Sequence, residues 1–448
     1  MRLYPATAYD FLRPVDSHWE ATAPPLARPL APLRTGVSVD AAIVGAGYTG
    51  LHAAYRLASN HGMHVIVLEA AAPGWGASGR NAGFCCIGSA KLPYAVMLHR
   101  YGEAATREFF DAQLDAVAYV ADFIAGHAID AERSGNGEFQ LAHRGWAMEA
   151  LKAEHELLAA GFGFRTELLK NEQLGERGVG GPEFHGGLWS PVGFGLHPLR
   201  YLRALAGLAI DAGAVIHPQS PVTAWRHVRG EHVLSTAGGE VRARRVLLAT
   251  NAYSDEAVPR WIGGRLLPAL SRVLITRPLT ADERMAQGWT SFDLAYDTRN
   301  LLHYFRLLPD GRFLFGGRGG TDLSPAGLQR AMETLRARFE RMFPVFAHVE
   351  IERSWSGLVC LALRRVPYIG PIGRMVGGYA ALAYHGNGVA FGSYAGRLIA
   401  DVMAGVDGAA RRIPRIVAGP LRRFPFPRLR RIYLKAAYSG LSLRDERP

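Results

Sequence analysis

The hydrophobic positions between residues 39 and 69 fall into three kinds of segment. An apolar run at 42–44 enters a glycine-rich turn, and a pattern of apolar positions at helical spacing follows. A second apolar run, Val65–Leu68, ends at Glu69. A buried strand, a glycine turn, a helix and a second buried strand make a βαβ unit. This stretch therefore predicts two neighbouring parallel strands joined by a helix.

The same patterning predicts the elements of the remaining chain. Apolar positions at helical spacing predict helices over about 100–127, 145–160, 199–212, 325–342 and 390–404. Apolar runs predict buried strands at 245–250 and 379–383, and Gly-Gly at 238–239 predicts a hairpin turn. The aromatic runs 301–306 and 312–316 are joined through Asp310-Gly311, which is typical of another hairpin. The fold class expected is α/β, or α+β overall.

Gly45, Gly47 and Gly50 have the spacing of a dinucleotide site. Gly45 allows a tight turn, Gly47 lets the backbone approach a pyrophosphate, and Gly50 lets the helix pack on the strand. The helix N-terminus presents unpaired N–H groups to the phosphates. Glu69 stands where a carboxylate accepts the ribose 2′-hydroxyl. A glycine triplet alone also suits a structural turn, but the flanking strands, helix and acid favour a bound dinucleotide.

Size and charge narrow the classes of protein. A chain of 448 residues predicts two domains rather than one core. The net charge of +12 comes almost entirely from arginine, since only four of the 51 basic residues are lysines. Arginines concentrate at 411–431, interleaved with Pro and Phe. This favours a tail that wraps the protein surface over a nucleic-acid or membrane patch.

Cysteine usage and apolar runs indicate the compartment. Three cysteines, with Cys85 and Cys86 adjacent, make no disulfide framework and suit a reducing compartment. His and Cys residues lack the spacing of metal ligands. The chain start lacks the pattern of a signal peptide, and the apolar stretch 379–400 carries His385, Asn387 and Arg397, so it is a poor bilayer span. We expect a cytoplasmic protein with no metal and no integral membrane segment.

Two further loops decide between dinucleotides. The loop 76–83 is small and polar, and Ser78, Arg80 and Asn81 supply donors that a flavin nucleotide needs and NAD does not. The turn 384–389 precedes a helix, so its N–H groups would stabilise the negative charge of a reduced flavin. Each loop alone also suits an ordinary turn. Together they favour FAD.

Five segments together resemble a known family. The glycines at 45–50, the loop 76–83 and the segments 249–253, 355–357 and 386–388 are spaced as in the FAD-dependent D-amino acid oxidase (DAO) superfamily. Within it the chain resembles the γ-glutamylputrescine oxidase-like branch, through 16–19, 249–253, 313–318 and 365–370. The similarity spans residues 10–440.

The resemblance implies a two-domain fold. A discontinuous Rossmann-like FAD-binding domain is expected at 37–92, 190–258 and 353–412, and a β-sheet-based substrate domain with helices at 93–189 and 259–352. An arm at 1–36 and a basic C-terminal tail at 413–448 flank them. The FAD-binding residues expected are Gly45, Gly47, Tyr48, Thr49, Gly50, Glu69, Ala70, Gly76, Ala77, Ser78, Arg80, Asn81, Ala82, Gly83, Val222, Thr250, Asn251, Trp355, Gly357, Gly386, Asn387, Gly388 and Val389.

The resemblance also implies oxidation of a carbon–nitrogen bond. Hydride passes from the carbon beside a neutral amine to flavin N5, the imine hydrolyses to a carbonyl compound and an amine, and O2 becomes H2O2. A dehydrogenase of the D-amino acid or sarcosine type, which passes electrons to a quinone, is the alternative. A flavoprotein associated with RNA is a second alternative, suggested by the basic tail, although nucleic acid is not the expected partner.

Departures from the family pattern indicate the substrate. Many α-amino acid oxidases of the superfamily place an arginine for the substrate carboxylate two residues after Gly357, where this chain has Val359. Unless Arg318, Arg364 or Arg365 substitutes for it, an amine or polyamine-derived substrate is favoured. The loop at 78–81 lacks a neighbouring histidine, and Cys360 lacks the motif of a flavin-linked cysteine, so the expected FAD is non-covalent.

Four side chains are candidates for catalysis. His385 would lie beside the flavin or cap a helix, and Tyr253 ends a buried strand. His303 and Tyr304 alternate on a strand, so only one should face a cavity, and a core histidine is the alternative for His303. Arg318, between glycine pairs, is a candidate contact for an anion or substrate tail.

Overall fold

The structure is a computed structural model that describes residues 3–446. Its strands are β1 Val37–Val44, β2 Val65–Leu68, β3 Phe84–Cys85, β4 Glu138–Leu141, β5 Glu167–Lys170, β6 Gly186–Ser190, β7 Phe194–Gly195, β8 Val215–His217, β9 Ala224–Val228, β10 Glu231–Thr236, β11 Gly239–Leu248, β12 Leu266–Pro278, β13 Leu294–Asp297, β14 Tyr304–Leu307, β15 Arg312–Arg318, β16 Ile351–Ala362, β17 Tyr368–Pro371 and β18 Gly378–Leu382. Its α-helices are α1 His18–Thr22, α2 Tyr48–His61, α3 Tyr94–Tyr101, α4 Glu103–Gly126, α5 Ala147–Phe162, α6 Asn171–Glu176, α7 Pro198–Asp211, α8 Ala281–Gln287, α9 Pro325–Met342, α10 Ala390–Ala404, α11 Arg415–Ala418 and α12 Arg430–Asp445.

The first sheet is built around parallel strands. Its order is β17-β18-β11-β1-β2-β8, and the pairs from β18 to β8 are parallel. The last four residues of β1 and all of β2 are buried, as expected for strands covered on both faces. Helices α2 and α10 pack closely at Gly396. A Cβ at this position would lie only 2.4 Å from the Thr49 carbonyl oxygen. The predicted βαβ unit and Rossmann-like arrangement are confirmed.

The second sheet is mostly antiparallel. Its order is β16-β12-β15-β14-β13-β4-β6-β5. One face packs on an aromatic cluster in which Phe305, Phe313 and Phe315 of β14 and β15 meet Phe339 and Phe343. Since side chains alternate along a strand, Tyr304, Gly316 and Arg318 belong to the opposite face. That face is available to a ligand.

Most elements predicted from the pattern are present. Helices α9 and α10 have the predicted bounds, and β14 and β15 form the predicted Asp-Gly hairpin. The helix predicted over 100–127 is interrupted, because Gly102 at φ +79° separates α3 from α4. No helix among residues 3–446 is long and apolar enough to cross a bilayer.

The structure adds detail to three segments of the predicted domain division. Strand β16 pairs with β12 in the second sheet, although 353–412 was assigned to the FAD-binding domain. The arm at 1–36 is anchored in the protein, since Tyr4, Tyr9 and Trp19 are buried. The tail at 413–448 ends in α12, whose Arg430 and Asp445 are buried. Residues 1–2 and 447–448 of these segments lie outside the described residues.

Burial of neutral histidines makes stability depend on pH. His52 lies in the core between the hydroxyls of Tyr201, at 2.6 Å, and Tyr119, at 2.9 Å. Burial lowers the pKa of His52 to about 3, and that of His385 likewise. Below the unfolded pKa of about 6.5 the unfolded chain binds protons that the folded chain does not. These histidines therefore stabilise the fold above that pH, and the contribution is lost as the pH falls.

We expect the free energy of unfolding to fall between pH 6.5 and pH 5, by up to about 1.4 kcal/mol per pH unit for each such histidine. His52→Gln keeps a group that can bond both tyrosines but cannot be protonated. Unfolding of this variant should therefore take up about one proton fewer, and its free energy of unfolding should fall less steeply with pH. Urea unfolding at several pH values measures this. An unchanged slope in His52→Gln would contradict it.

Candidate active site

A cavity of about 430 Å³ lies between the two sheets. Its wall is formed by the glycine turn after β1, by residues 74–94, by the end of β11, by the open face of the second sheet and by the turn 384–389. Nearly all of the predicted FAD-binding residues line it, as do His385, Tyr253 and Arg318. The predicted residues that do not line it are Gly50, Gly83, Trp355 and His303.

The glycine turn is shaped by close approach. Gly45 adopts φ +108°, a left-handed conformation that favours glycine. A Cβ on Gly47 would lie 2.9 Å from Ser78 Oγ, and a Cβ on Gly50 only 2.0 Å from the Gly45 carbonyl oxygen. Gly50 thus lets helix and strand touch, whereas Gly47 keeps the cavity wall free of a side chain. This cradle fits a pyrophosphate at the start of α2.

Glu69 links the two ends of the βαβ unit. Its carboxylate accepts hydrogen bonds from the backbone N–H of Ala46, at 2.7 Å, and of Ala71, at 2.9 Å. Burial raises the pKa of Glu69, and these backbone donors oppose the rise. The carboxylate therefore fixes the glycine turn as well as lining the cavity, where its remaining acceptor capacity suits a ribose hydroxyl.

The loop 76–83 is held by three side chains from distant parts of the chain. Trp355 Nε1 donates to the Arg80 carbonyl at 2.9 Å, Trp19 Nε1 donates to the Asn81 carbonyl at 2.8 Å, and Arg306 Nε donates to the Ala82 carbonyl at 2.9 Å. None of the three donors lines the cavity. Three consecutive carbonyls of the loop thus accept hydrogen bonds from side chains outside the cavity wall.

The polar side chains of this loop are engaged within the protein. Asn81 Nδ2 donates to the Ser78 carbonyl at 2.8 Å, and Asn81 Oδ1 accepts from Gly83 N–H at 2.8 Å. Arg80 Nε donates to the Trp75 carbonyl at 2.6 Å, and Ser78 Oγ accepts from Tyr48 N–H at 3.1 Å. Ser78, Arg80 and Asn81 are therefore not the free donors to a flavin that their sequence positions suggest. In the structure their first role is to fix the loop.

The turn 384–389 is tied to both other segments of the site. Asn387 Nδ2 donates to the Ile87 carbonyl at 2.8 Å, and the hydroxyls of Thr49 and Tyr384 are 2.8 Å apart. Asn251 Oδ1 accepts from Ala383 N–H at 2.9 Å. Motifs more than 300 residues apart in the chain therefore form one wall.

His385 is buried at the cavity with φ +56°. Neither ring nitrogen has a hydrogen-bond partner of normal geometry among the described residues. Burial lowers the pKa of the His385 ring to about 3, against the opposing effect of the Val366 backbone, so the ring is neutral. A buried polar group without a partner indicates a ligand atom as its partner. Together with the glycine cradle and Glu69, this fits FAD.

The other predicted catalytic residues have different surroundings. Tyr253 OH accepts from Leu358 N–H at 3.1 Å, and its ring packs edge-on to Trp75 at 5.5 Å, so it braces the two sheets. His303 bonds Asp297 at 2.9 Å and stacks on Phe315 at 5.2 Å outside the cavity, as a core histidine does. Arg318 lines the cavity, and no acidic side chain in the described part of the chain pairs with it.

Four charged residues that no sequence motif marks also line the cavity, namely Lys91, Glu138, Glu154 and Asp255. Burial and the charge of Arg318 together lower the pKa of Lys91 to about 8, and Cys86 and Glu138 oppose this decrease. Burial raises the pKa of Glu138 to about 7, although the hydrogen bond from the Cys86 thiol and the charge of Lys91 both lower it. Lys91 stood out in the sequence as one of only four lysines, in an otherwise apolar segment. Cys85 and Cys86 are buried and do not line the cavity.

Comparisons with known proteins show the family of the chain. The DAO family of FAD dependent oxidoreductases matches residues 40–402. The probable oxidoreductase OrdL of Haemophilus influenzae is 30% identical over 385 residues, which are 84% of this chain and 85% of that protein. The gamma-glutamylputrescine oxidoreductase of Escherichia coli K12 is 30% identical over 434 residues, 96% and 98% of the two chains. The structure of glycine oxidase from Geobacillus kaustophilus has a TM-score of 0.66 at 22% identity, covering 82% of this chain and 94% of that one.

We expect Trp19→Phe to weaken FAD binding about tenfold or more. The substitution leaves the part-buried Asn81 carbonyl without its donor, at a cost of about 1–3 kcal/mol, and frees a loop that must be ordered when FAD binds. Titration of the apoprotein with FAD measures the dissociation constant. Trp146→Phe, the same change at a half-exposed tryptophan, is the control, and equal affinities in both variants would contradict the role of Trp19.

Proposed function

The chain belongs to the DAO family of FAD-dependent oxidoreductases, and on that premise we propose that it oxidises a carbon–nitrogen bond of an amine. FAD held by the glycine turn, Glu69 and the loop 76–83 would supply a two-electron acceptor for the hydride of the carbon beside the neutral amine, and the substrate would leave as an imine for hydrolysis. The observation that carries the proposal is the charged and aromatic sheet face that closes the cavity opposite the cofactor segments. This face binds and orients the substrate and excludes water.

A row of polar side chains crosses the sheet on that face. Tyr304 pairs with Tyr296, and Tyr296 pairs with Gln140. Glu138 is two residues before Gln140, so both lie on the same face. All four line the cavity. Two phenols, an amide and a carboxyl group suit a substrate with amine or amide groups along its length, and the Glu138 carboxylate suits a cationic group remote from the reacting carbon.

The arginines decide how a carboxylate is bound. Val359, which replaces the family arginine, lines the cavity. Arg364 donates to the Ile416 carbonyl at 2.9 Å and, like Arg365, does not line the cavity. Arg318 lines it and pairs with β12 at Ser271, whereas Val359 pairs with β12 at Ala269. A carboxylate of the substrate would therefore bind at Arg318, displaced from the usual α-amino acid position.

These features favour a γ-glutamyl amine or a related polyamine derivative. Such a substrate carries a carboxylate for Arg318 and an ammonium group for Glu138, besides the amine that is oxidised. The 30% identity to a gamma-glutamylputrescine oxidoreductase over 96% of the chain supports the same class. O2 is the proposed acceptor, with production of H2O2; a quinone is the alternative.

The decisive experiment is anaerobic mixing of the FAD-loaded protein with γ-glutamyl amines, polyamines and D-amino acids. We expect bleaching of the flavin absorbance by γ-glutamyl amines, followed by peroxide when air is admitted. Failure of every amine and amino compound to bleach the flavin would refute the proposed function. Reoxidation by a quinone much faster than by air would assign a dehydrogenase instead.

We further propose that the FAD is held non-covalently. Cys360 is the cysteine that lines the cavity, and burial raises the pKa of its thiol, so the thiolate needed for attachment is disfavoured. Acid precipitation should therefore release the yellow colour into the supernatant. Colour retained in the washed pellet would show a covalent bond.

Glu138→Gln should raise KM for γ-glutamyl amines about tenfold or more, because a charge-assisted contact is lost. Glu138, with a pKa of about 7, binds a cation only when ionised, so kcat/KM of the parent protein should fall below pH 7. That acidic limb should be absent in Glu138→Gln and retained in Glu156→Gln, an exposed control on α5. Superimposable profiles for the parent and Glu138→Gln would rule out this role.

A further inference from the structure

Exposed apolar side chains concentrate around α12. Among the described residues, twelve large hydrophobic side chains are exposed, and five of these lie between residues 426 and 443. They are Phe426 at 76% exposure, Leu429 at 42%, Ile432 at 62%, Tyr433 at 36% and Leu443 at 72%. Scattered exposed hydrophobics are ordinary, but five in one short segment of the chain point to an interaction surface.

The geometry of α12 separates two faces. Leu434, Arg430 and Asp445 face the protein and are buried. At 100° per residue, Ile432 and Leu443 fall on the opposite side of the helix, with Ala436 and Ser439 between them. The outer face is therefore an apolar stripe on a helix whose other face is already packed.

The inner face fixes α12 to the protein. The Asp445 carboxylate accepts from Asn300 N–H at 2.8 Å and from Leu301 N–H at 2.9 Å. Arg430 donates to the Leu266 carbonyl and pairs with the Glu256 carboxylate, and Leu434 packs on β12 through Leu267. With both ends of the helix bonded to the protein, its outer stripe is preformed.

Basic residues border the stripe. Arg431 and Lys435 lie on one side of it along the helix and Arg444 on the other. The segment before the helix adds Arg422, Arg423 and Arg428, all exposed. Within residues 3–446 none of these six cations forms an ion pair with an acidic side chain. An apolar stripe flanked by unpaired cations is the pattern of a helix that lies in the interface of a membrane.

We propose that α12 and residues 422–429 dock the protein on an anionic lipid surface. The apolar stripe enters the headgroup region, and the flanking cations contact lipid phosphates. RNA would engage the cations but leave Ile432 and Leu443 without a partner. A second copy placed symmetrically on this face would bring the same six cations together, which like-charge repulsion opposes. The proposal does not depend on which amine the protein oxidises.

Docking would bring the lipid surface close to the substrate side of the cavity. Leu434 and Tyr438 pack in one cluster with Val359, which lines the cavity. Burial raises the pKa of Tyr438, and the charge of Arg318, another lining residue, opposes this rise. The helix that meets the lipid is thus in contact with the cavity wall.

Flotation of the FAD-loaded protein with vesicles tests this proposal. We expect binding to phosphatidylcholine vesicles that contain phosphatidylglycerol and weaker binding to phosphatidylcholine alone, with affinity reduced by high salt. The double variant Ile432→Ser/Leu443→Ser and the charge variant Lys435→Glu should each bind less, the double variant about tenfold or more. The controls are Met285→Ser, at a side chain 70% exposed on α8, and Lys152→Glu on α5.

Three results would overturn the proposal. One is the absence of binding to anionic vesicles, and another is equal binding by the double variant and Met285→Ser. The third is a parent protein that binds RNA or self-associates but does not bind vesicles, and that loses this property in the double variant. This result would assign the face to RNA or to a second copy of the chain. Because the substituted side chains are exposed, an unchanged melting temperature and unchanged flavin spectrum would show that the fold is retained.

Discussion

Three side-chain donors on three successive backbone carbonyls hold the site together. Trp355, Trp19 and Arg306 donate to the carbonyls of Arg80, Asn81 and Ala82. The donors come from β16, from α1 and from β14, which belong to the second sheet and to the N-terminal arm. The loop itself follows the βαβ unit of the first sheet. These bonds therefore fix the two sheets on either side of the cavity, and an unbonded carbonyl in so buried a place would cost about 1–3 kcal/mol.

The polar motif residues act mainly by fixing the backbone. Glu69 accepts a hydrogen bond from the glycine turn, and Asn81 accepts one from Gly83 in its own loop. Asn387 donates to the Ile87 carbonyl, and Asn251 accepts from the Ala383 N–H. A site prepared in this way offers backbone N–H groups and glycine surfaces at fixed positions, so little ordering is left to accompany binding of a dinucleotide. His385 is the exception, since its buried ring nitrogens have no partner among the described residues.

Charge is distributed unevenly over the cavity. The cofactor segments contribute glycines, a helix N-terminus, Glu69 and Arg80, whereas the substrate side carries Arg318, Lys91 and Glu138. Lys91 and Glu138 lower the cost of burying one another's charge without forming an ion pair within 4 Å. Charges left without a close protein partner in a buried cavity are suited to bind the opposite charges of a substrate. The same reasoning applies at the surface, where unpaired cations border the apolar stripe of α12.

The sequence by itself determined what depends on local spacing. The βαβ unit, the hairpin through Asp310-Gly311 and helices α9 and α10 follow from periodicity and glycine positions, because turns and helix faces are set by residues close in the chain. The choice of a flavin follows from the loop 76–83 and the turn 384–389. Only the tertiary structure decided which distant residues meet. Long-range strand pairing placed β16 in the second sheet and left His303 in the core. It also placed Lys91 within electrostatic reach of Glu138 and Trp19 against the Asn81 carbonyl, and no local pattern of residues predicts either.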